Sequence, residues 1–112
     1  YKNNSKQSLE KLKVEQVEEA KTLTQQNLQV ATKAAYLKYN EAISQRETYL
    51  ESKHLAEENY RITEKKYFNQ LALITEMLDA SNSKLDAELQ YVNSEINILY
   101  AYYNILKTVG QL

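Results

Sequence analysis

Two carboxylates lie close together in the stretch LITEMLDA, which runs from Leu73 to Ala80. Glu76 and Asp79 are three residues apart, and on a helix this spacing places both side chains on one face. A close carboxylate pair can perform acid–base chemistry. Such chemistry also needs a nucleophile, a histidine or a phosphate-binding glycine loop beside the pair, and the surrounding sequence offers none of them. We therefore predict that the chain is not an enzyme.

The single histidine, His54, is a second group that could do chemistry. On a helix its neighbours include Glu51, Glu57 and Glu58, and carboxylates with an imidazole can bind a metal ion. No second strong ligand stands at the spacing of a zinc site. One imidazole among exposed acids is more typical of a solvated helix surface, so the sequence predicts no metal and no cofactor, with a metal-dependent helical enzyme as a distant alternative.

The composition excludes several classes of protein. The formal net charge is -1 and charges of both signs are interspersed, so there is no basic patch for nucleic acid or anionic lipid. The chain has no Cys, which leaves no disulfide, no thiolate nucleophile and no Cys-based zinc site. Binding by bulk charge and cysteine chemistry are therefore not expected.

The elements that carry these residues are predicted to be long helices. The 112 residues include no Pro and one Gly, Gly110, so the usual breaks of sheets and loops are missing. Helix-forming residues with helical spacing predict one helix over about 5–67 and another over about 75–108. The longest apolar run, Leu71 to Ile74, is much shorter than the roughly 20 residues of a membrane-spanning helix.

Apolar and small residues recur at steps of seven along the first helix. One series is Leu28, Ala35, Ala42, Tyr49 and Ala56, and an adjacent series is Tyr39, Arg46, Lys53, Tyr60 and Tyr67. Adjacent series of this period are typical of a coiled-coil seam. We predict that this side of the first helix is the seam, and that its small residues, Ala31, Ala35, Ala42, Ser52 and Ala56, permit close approach of the helix axes.

The second helix carries its own series of large apolar residues at steps of seven. Its members are Leu71, Leu78, Leu85, Val92, Leu99 and Leu106, flanked by Ile74, Ser81, Leu89, Ile96 and Tyr103. A sustained step of seven imposes a left-handed supercoil. The sequence therefore predicts an all-α antiparallel coiled-coil hairpin in which the leucine series is buried against the first helix.

The turn between the helices must lie within Phe68–Ile74. Asn69 is the residue there that best tolerates a positive φ, Thr75 is the expected N-cap of the second helix, and Glu76 then lies in its first turn. Because the turn is off centre, the first helix up to about Val30 has no partner in the hairpin. A helix depends on burying an apolar stripe, so we expect self-association, and we interpret the chain as a piece of a larger protein.

The segment from Asn59 to Gly110, NYRITEKKYFNQLALITEMLDASNSKLDAELQYVNSEINILYAYYNILKTVG, resembles the closing part of the TolC family of outer-membrane efflux proteins. The matching elements are Tyr67, Ile74, Leu78-Asp79-Ala80, Leu85, Ala87, Leu89, Tyr91, Val92, Tyr100, Leu106 and Gly110. The resemblance covers about half of the chain. The first helix agrees mainly in its length and periodicity.

The resemblance implies a fold and a setting. Residues 1–112 would be a periplasmic helical hairpin from the C-terminal half of the protomer. Three such protomers build a helical tunnel, an α-barrel, that continues into an outer-membrane β-barrel of a Gram-negative bacterium. The tunnel exports small molecules or proteins together with a periplasmic adaptor protein and an inner-membrane transporter. Membrane contact would involve only parts outside this chain, and nucleic acid is not an expected partner.

The resemblance also implies roles for residues near the turn. Tyr67 would be a gate contact, and Glu76 and Asp79 would line the pore entrance. The tip that faces the adaptor would be Phe68, Asn69, Gln70, Leu71, Ala72, Leu73 and Ile74. Two residues depart from the family pattern: Gln70 replaces the usual tip glycine, and Ala72 stands where some members have a basic residue that locks the closed state.

Two alternatives to these implied roles remain open at this point. Glu76 and Asp79 can instead be an acidic first turn that complements the helix dipole. The whole chain can be a soluble coiled-coil adaptor or scaffold with no pore. A channel parent should contain a second hairpin unit and alternating apolar strands, whereas a scaffold needs neither.

Overall fold

The chain forms a long helical hairpin. The computed structural model describes residues 2–110, with side chains from residue 3 onward, and within that range it consists of α1 (Lys2–Phe68) and α2 (Ile74–Val109). The hairpin measures 102 × 17 × 15 Å, which matches about 100 Å for 67 residues at 1.5 Å each. The predicted helices are confirmed, with ends one to three residues beyond the predicted ones.

The predicted seam on α1 is confirmed except at Ala31 and Ser52, which are exposed. Every member of its two series of seven-residue steps is buried or half-buried, from Leu28 to Ala56 in one and from Tyr39 to Tyr67 in the other. Ala35 and Ala42 are the most deeply buried members of the first series. The second series includes the half-buried Arg46 and Lys53, whose long side chains can cover apolar surface while the charged ends stay in water.

The predicted seam on α2 is wrong. Leu71, Leu78, Leu85, Val92, Leu99 and Leu106 are all exposed, with 49% to 76% of each residue accessible. The side of α2 that faces α1 carries one series of small residues and one series of larger residues instead. It consists of two other series of seven-residue steps: Ala80, Ala87, Ser94, Ala101 and Thr108, and Met77, Lys84, Tyr91, Ile98 and Ile105. We call these two series, with the two on α1, the hairpin seam.

The physical reason for this reversal is side-chain volume. The hairpin seam of α1 already contains four tyrosines, at positions 39, 49, 60 and 67, and protein interiors pack densely only when large side chains meet small ones. A row of leucines against those tyrosines would overfill the space between the helices. Small residues on α2 leave room for the rings, and Ser94, only 2% exposed, satisfies its hydroxyl by donating to the Tyr91 carbonyl at 2.6 Å.

The N-terminal part of α1 extends beyond the hairpin. Residues 3–27 are exposed throughout, and large apolar side chains such as Leu9, Val17 and Leu23 lie on that surface. Thr22 and Thr24 donate to the carbonyls four residues earlier, Glu18 and Ala20, at 2.9 Å. The only helix–helix packing that stabilises the described chain is therefore in its second part, from about Leu28 onward.

Candidate functional site

The tip of the hairpin is closed by hydrogen bonds that end α1 in a defined way. The Gln70 N–H donates to the Tyr67 carbonyl at 3.0 Å, and the Leu71 N–H donates to the Lys66 carbonyl at 2.7 Å. Gln70 has a φ of 62°, so it adopts the left-handed conformation that glycine adopts most easily. These bonds and this conformation make a Schellman motif with Gln70 at the C′ position.

Two predictions about the turn are therefore corrected. Gln70, and not Asn69, has the positive φ, because the Schellman bonds require the left-handed residue one position after the cap. Leu73, and not Thr75, is the N-cap of α2, with φ −82° and ψ 155°. The N-cap is two residues earlier than expected, since Ile74 and Thr75 are already helical.

Glu76 and Asp79 lie where α2 leaves the tip, and both side chains are exposed. The Glu76 carboxylate accepts a hydrogen bond from the Leu73 N–H at 3.3 Å. That bond satisfies one of the free donors at the start of the helix, and the negative charge complements the helix dipole. Glu76 thus has a local structural role, whereas its role and that of Asp79 at a pore entrance stay predictions.

The remaining tip residues present an apolar surface. Phe68, Leu71, Leu73 and Ile74 are exposed, and Leu71 is the most exposed of them. The half-buried Tyr67 packs edge-on against Phe68, with ring centroids 5.6 Å apart. The structure therefore brings the predicted gate residue, the predicted entrance acids and the predicted adaptor-facing residues together at one end of the hairpin.

His54 lies away from the tip on the outer surface of α1. Its Nδ1 is 3.6 Å from a Glu57 carboxylate oxygen, and 68% of its side chain is exposed. Within the described residues, no group of three His, Asp or Glu side chains is close enough together to hold a metal ion. The nearby Glu58 and Arg61 form an ion pair that lowers the pKa of the Glu58 carboxyl through its hydrogen bond to the guanidinium.

A feature that the sequence interpretation missed is a pair of cation–π contacts across the hairpin seam. The Lys53 ammonium of α1 lies 4.8 Å from the centre of the Tyr91 ring, and the Lys84 ammonium of α2 lies 4.8 Å from the centre of the Tyr60 ring. The two lysines come from opposite helices. The two contacts are one heptad apart along the seam, because seven residues separate Lys53 from Tyr60 on α1 and Lys84 from Tyr91 on α2. The hydrogen bond that the Tyr60 phenol donates to Glu64 raises the pKa of Tyr60.

These contacts select the register of the two helices. A slip of one heptad in one direction would bring Lys53 toward Lys84, and two like charges would then meet in the seam. A slip in the other direction would place Lys53 beside Ile98 and Tyr60 beside Tyr91. Repeats of seven are otherwise compatible with either slip, so the lysine–tyrosine contacts disfavour the alternatives.

We expect measurable coupling between Lys84 and Tyr60. In a double-mutant cycle of Lys84→Gln and Tyr60→Leu, the coupling free energy of unfolding should be about 0.5 to 1 kcal/mol, because the contact is partly solvated. A cycle with Tyr60→Phe should show a coupling near zero, since that variant keeps the aromatic ring and therefore keeps the contact with Lys84. Lys84→Gln with the distant Tyr39→Leu is the control, and coupling of equal size there would contradict the assignment.

The surface of α2 away from α1 is divided into two further stripes. The first, which we call the leucine stripe, has large apolar side chains with 43% to 65% of each residue accessible. It consists of Leu78, Leu85, Leu89, Val92, Ile96, Leu99, Tyr103 and Leu106. The second, the polar face, consists of the exposed Glu76, Asp79, Ser83, Asp86, Gln90, Asn93, Asn97, Tyr100, Asn104 and Lys107. Helix α2 therefore has one apolar stripe in contact with α1, another without a partner, and a polar side between them.

The architecture defines the class of this protein as an elongated antiparallel helical hairpin of the coiled-coil type. Searches of protein-family models, of curated proteins and of solved structures found no match to the chain. No helix in the described range has the length and apolar character that crossing a membrane requires.

Proposed function

We propose that this chain is the periplasmic tunnel segment of a TolC-like outer-membrane channel, which exports small molecules or proteins. The observation that carries the proposal is the division of α2 into two apolar stripes and one polar face. A helix in the wall of a tubular assembly needs an apolar contact with a neighbour on each side and a polar surface toward water. An isolated two-helix hairpin needs only one such stripe.

The shape of the hairpin supports the same proposal. The α1 helix continues far beyond the end of α2, and its apolar residues there, among them Leu12 and Leu23, have no partner within the described chain. In a longer protomer, another helical segment would continue the line of α2 and cover them. The parent is then a homotrimer in the outer membrane of a Gram-negative bacterium, with this segment in the periplasm.

In this proposal the tip is the functional end of the tunnel. The exposed apolar side chains of Phe68, Leu71 and Leu73 contact the periplasmic adaptor protein, which links the channel to an inner-membrane transporter. Glu76 and Asp79 on the polar face form a cation-attracting ring at the entrance, since carboxylate rings select for cations. Tyr67 is the gate contact at the same level. The segment has no catalytic role.

The entrance ring is tested in the intact channel. Replacing Glu76 and Asp79 together with alanine should weaken the block of ion conductance by multivalent cations in planar bilayers by at least tenfold, because the carboxylates that attract the cation are lost. Glu95→Ala is the matched control, since Glu95 is exposed on α2 but lies off the polar face. Unchanged block in the double variant would refute the ring.

A soluble scaffold is the second candidate function, and the observation that favours it is the same unpartnered leucine stripe. Such a stripe also suits a coiled coil that only binds partners. The coding sequence of the parent distinguishes the two. A second long-helix hairpin and strands of alternating hydrophobicity support the channel, and a parent that lacks both would leave the scaffold.

A further inference from the structure

The leucine stripe has the residue pattern of a two-stranded parallel coiled coil. Its residues occupy positions 78, 85, 92, 99 and 106, and positions 89, 96 and 103, and the exposed Asn82 continues the second set toward the tip. In heptad terms the first set occupies d positions, four of them leucine, and the second occupies a positions, which are Asn82, Leu89, Ile96 and Tyr103, with Ile96 as the β-branched member. Leucine at d, a β-branched residue at a, and one polar Asn at a favour two strands in a fixed register.

The stripe is accessible to a second helix while α1 stays bound. With 100° between successive residues, the centre of the leucine stripe lies about 150° around α2 from the centre of the hairpin seam. A helix that packs on the stripe therefore meets α2 on the side away from α1. The folded hairpin presents this surface without any rearrangement.

Among the exposed apolar surfaces of this chain, the best partner for the leucine stripe is the leucine stripe of a second copy. Between residues 38 and 67, all described, the large apolar residues exposed on α1 are Leu55 and Ile62, so α1 offers no continuous surface at that level. The N-terminal part of α1 has more apolar residues, but Lys13, Gln16 and Asn27 interrupt its stripe. The leucine stripe from Leu85 to Leu106 has no such interruption.

Charges beside the stripe distinguish the two possible orientations. In an antiparallel pair centred on Val92, Glu88 would approach Glu95 of the other copy twice near the middle of the interface, where like charges are unfavourable, and opposite charges would meet only at its ends, where Asp79 approaches Lys107. In a parallel pair, Glu88 instead meets Asn93 of the other copy, and Glu95 meets Tyr100. Tyr102 then meets Lys107, so no like charges are opposed.

We propose that two copies of this chain associate through their leucine stripes as a parallel, in-register coiled coil of α2 helices, with both tips at the same end. This interface uses the same leucine stripe that the channel proposal assigns to a neighbour in the tunnel wall, so it belongs with the scaffold candidate and excludes that wall contact. In a simple ring of hairpins, α2 would contact α1 of the next copy instead, so the two arrangements predict different neighbours for Asn82.

Disulfide cross-linking tests the orientation, because the chain has no cysteine of its own. Asn82→Cys should form a disulfide-linked dimer under mild oxidation, since residue 82 of each copy faces the same residue across the parallel seam. Asn97→Cys is the matched control on the polar face and should remain monomeric on a non-reducing gel. In an antiparallel pair the two residues at position 82 would be about 30 Å apart, so absence of the dimer band overturns the proposal.

Sedimentation tests the surface and the number of strands. The unmodified chain should sediment as two copies at about 100 μM, and Leu85→Lys with Leu99→Lys should sediment as one copy with its helical circular dichroism retained. Both leucines are exposed in the single hairpin, so the variant keeps the hairpin seam. A single-chain or three-chain wild type would overturn the two-stranded interface, as would a double variant that still sediments as two copies. A three-chain wild type would instead agree with the trimeric channel, and none of these three results would test the entrance ring.

Discussion

Replacing the small residues of the hairpin seam with leucine is expected to destabilise this protein far more than replacing residues of the leucine stripe with alanine. Ala42 and Ala80 are buried between the helices, and Ala42 and Ala101 line the same groove. Each alanine-to-leucine change adds volume to a packed contact, at a cost of about 1 to 3 kcal/mol. Ala42 and Ala80 are far apart along the seam, so the two costs should add. The free energy of unfolding of the variant with both Ala42→Leu and Ala80→Leu should fall by about 2 to 6 kcal/mol.

The leucine-to-alanine counterpart should have a much smaller effect on the isolated hairpin. Leu85 and Leu99 are more than half exposed, so truncation removes little buried area, and alanine is the better helix former. We expect about 1 kcal/mol or less for each. Urea denaturation followed by circular dichroism measures both variants, at a concentration where sedimentation shows single chains.

The control for this comparison is concentration. At higher protein concentration the leucine-to-alanine variants should become less stable than wild type, because association through the leucine stripe stabilises the folded wild-type chain by mass action. If, in single chains, the leucine-to-alanine changes lowered the free energy of unfolding more than the alanine-to-leucine changes, the leucine series and not the small residues would face α1.

Replacing Gln70 with glycine is expected to stabilise the hairpin. A residue with a side chain pays about 1 to 2 kcal/mol in the left-handed conformation, and Gln70 has a φ of 62°. Glycine removes that cost but gives the unfolded chain more freedom, so the net gain should be about 0.5 to 1 kcal/mol. Gln70→Val should have the opposite effect, since a β-branched residue fits this conformation poorly.

Asn69→Gly is the matched control for the turn. Asn69 donates its N–H to the Lys65 carbonyl at 3.0 Å, in the manner of a residue that continues the helix, and glycine there only adds freedom to the unfolded chain. In Asn69→Gly the free energy of unfolding should fall by roughly a few tenths of a kcal/mol. Stabilisation by Asn69→Gly and not by Gln70→Gly would place the left-handed residue one position earlier than the structure does.

The sequence by itself determined the helices and one side of their contact. Absence of Pro, a single Gly and a step of seven were sufficient to place both helices to within three residues and to identify most of the seam of α1, because period and propensity are local properties of the chain. The position of the tip acids on one exposed face followed from their spacing. The location of the turn within 68–74 was also correct.

Only the tertiary structure decided which series of α2 is buried and which residue of the turn is left-handed. The leucine series and the small-residue series that contains Ala80 and Ser94 have the same period, so periodicity cannot rank them, and hydrophobicity alone selects the leucines. The choice depends on volume, because the tyrosines of α1 leave room for small side chains and not for leucine. In the same way, Asn69 has the better intrinsic preference for a positive φ, but the bonds that end α1 impose that conformation on Gln70.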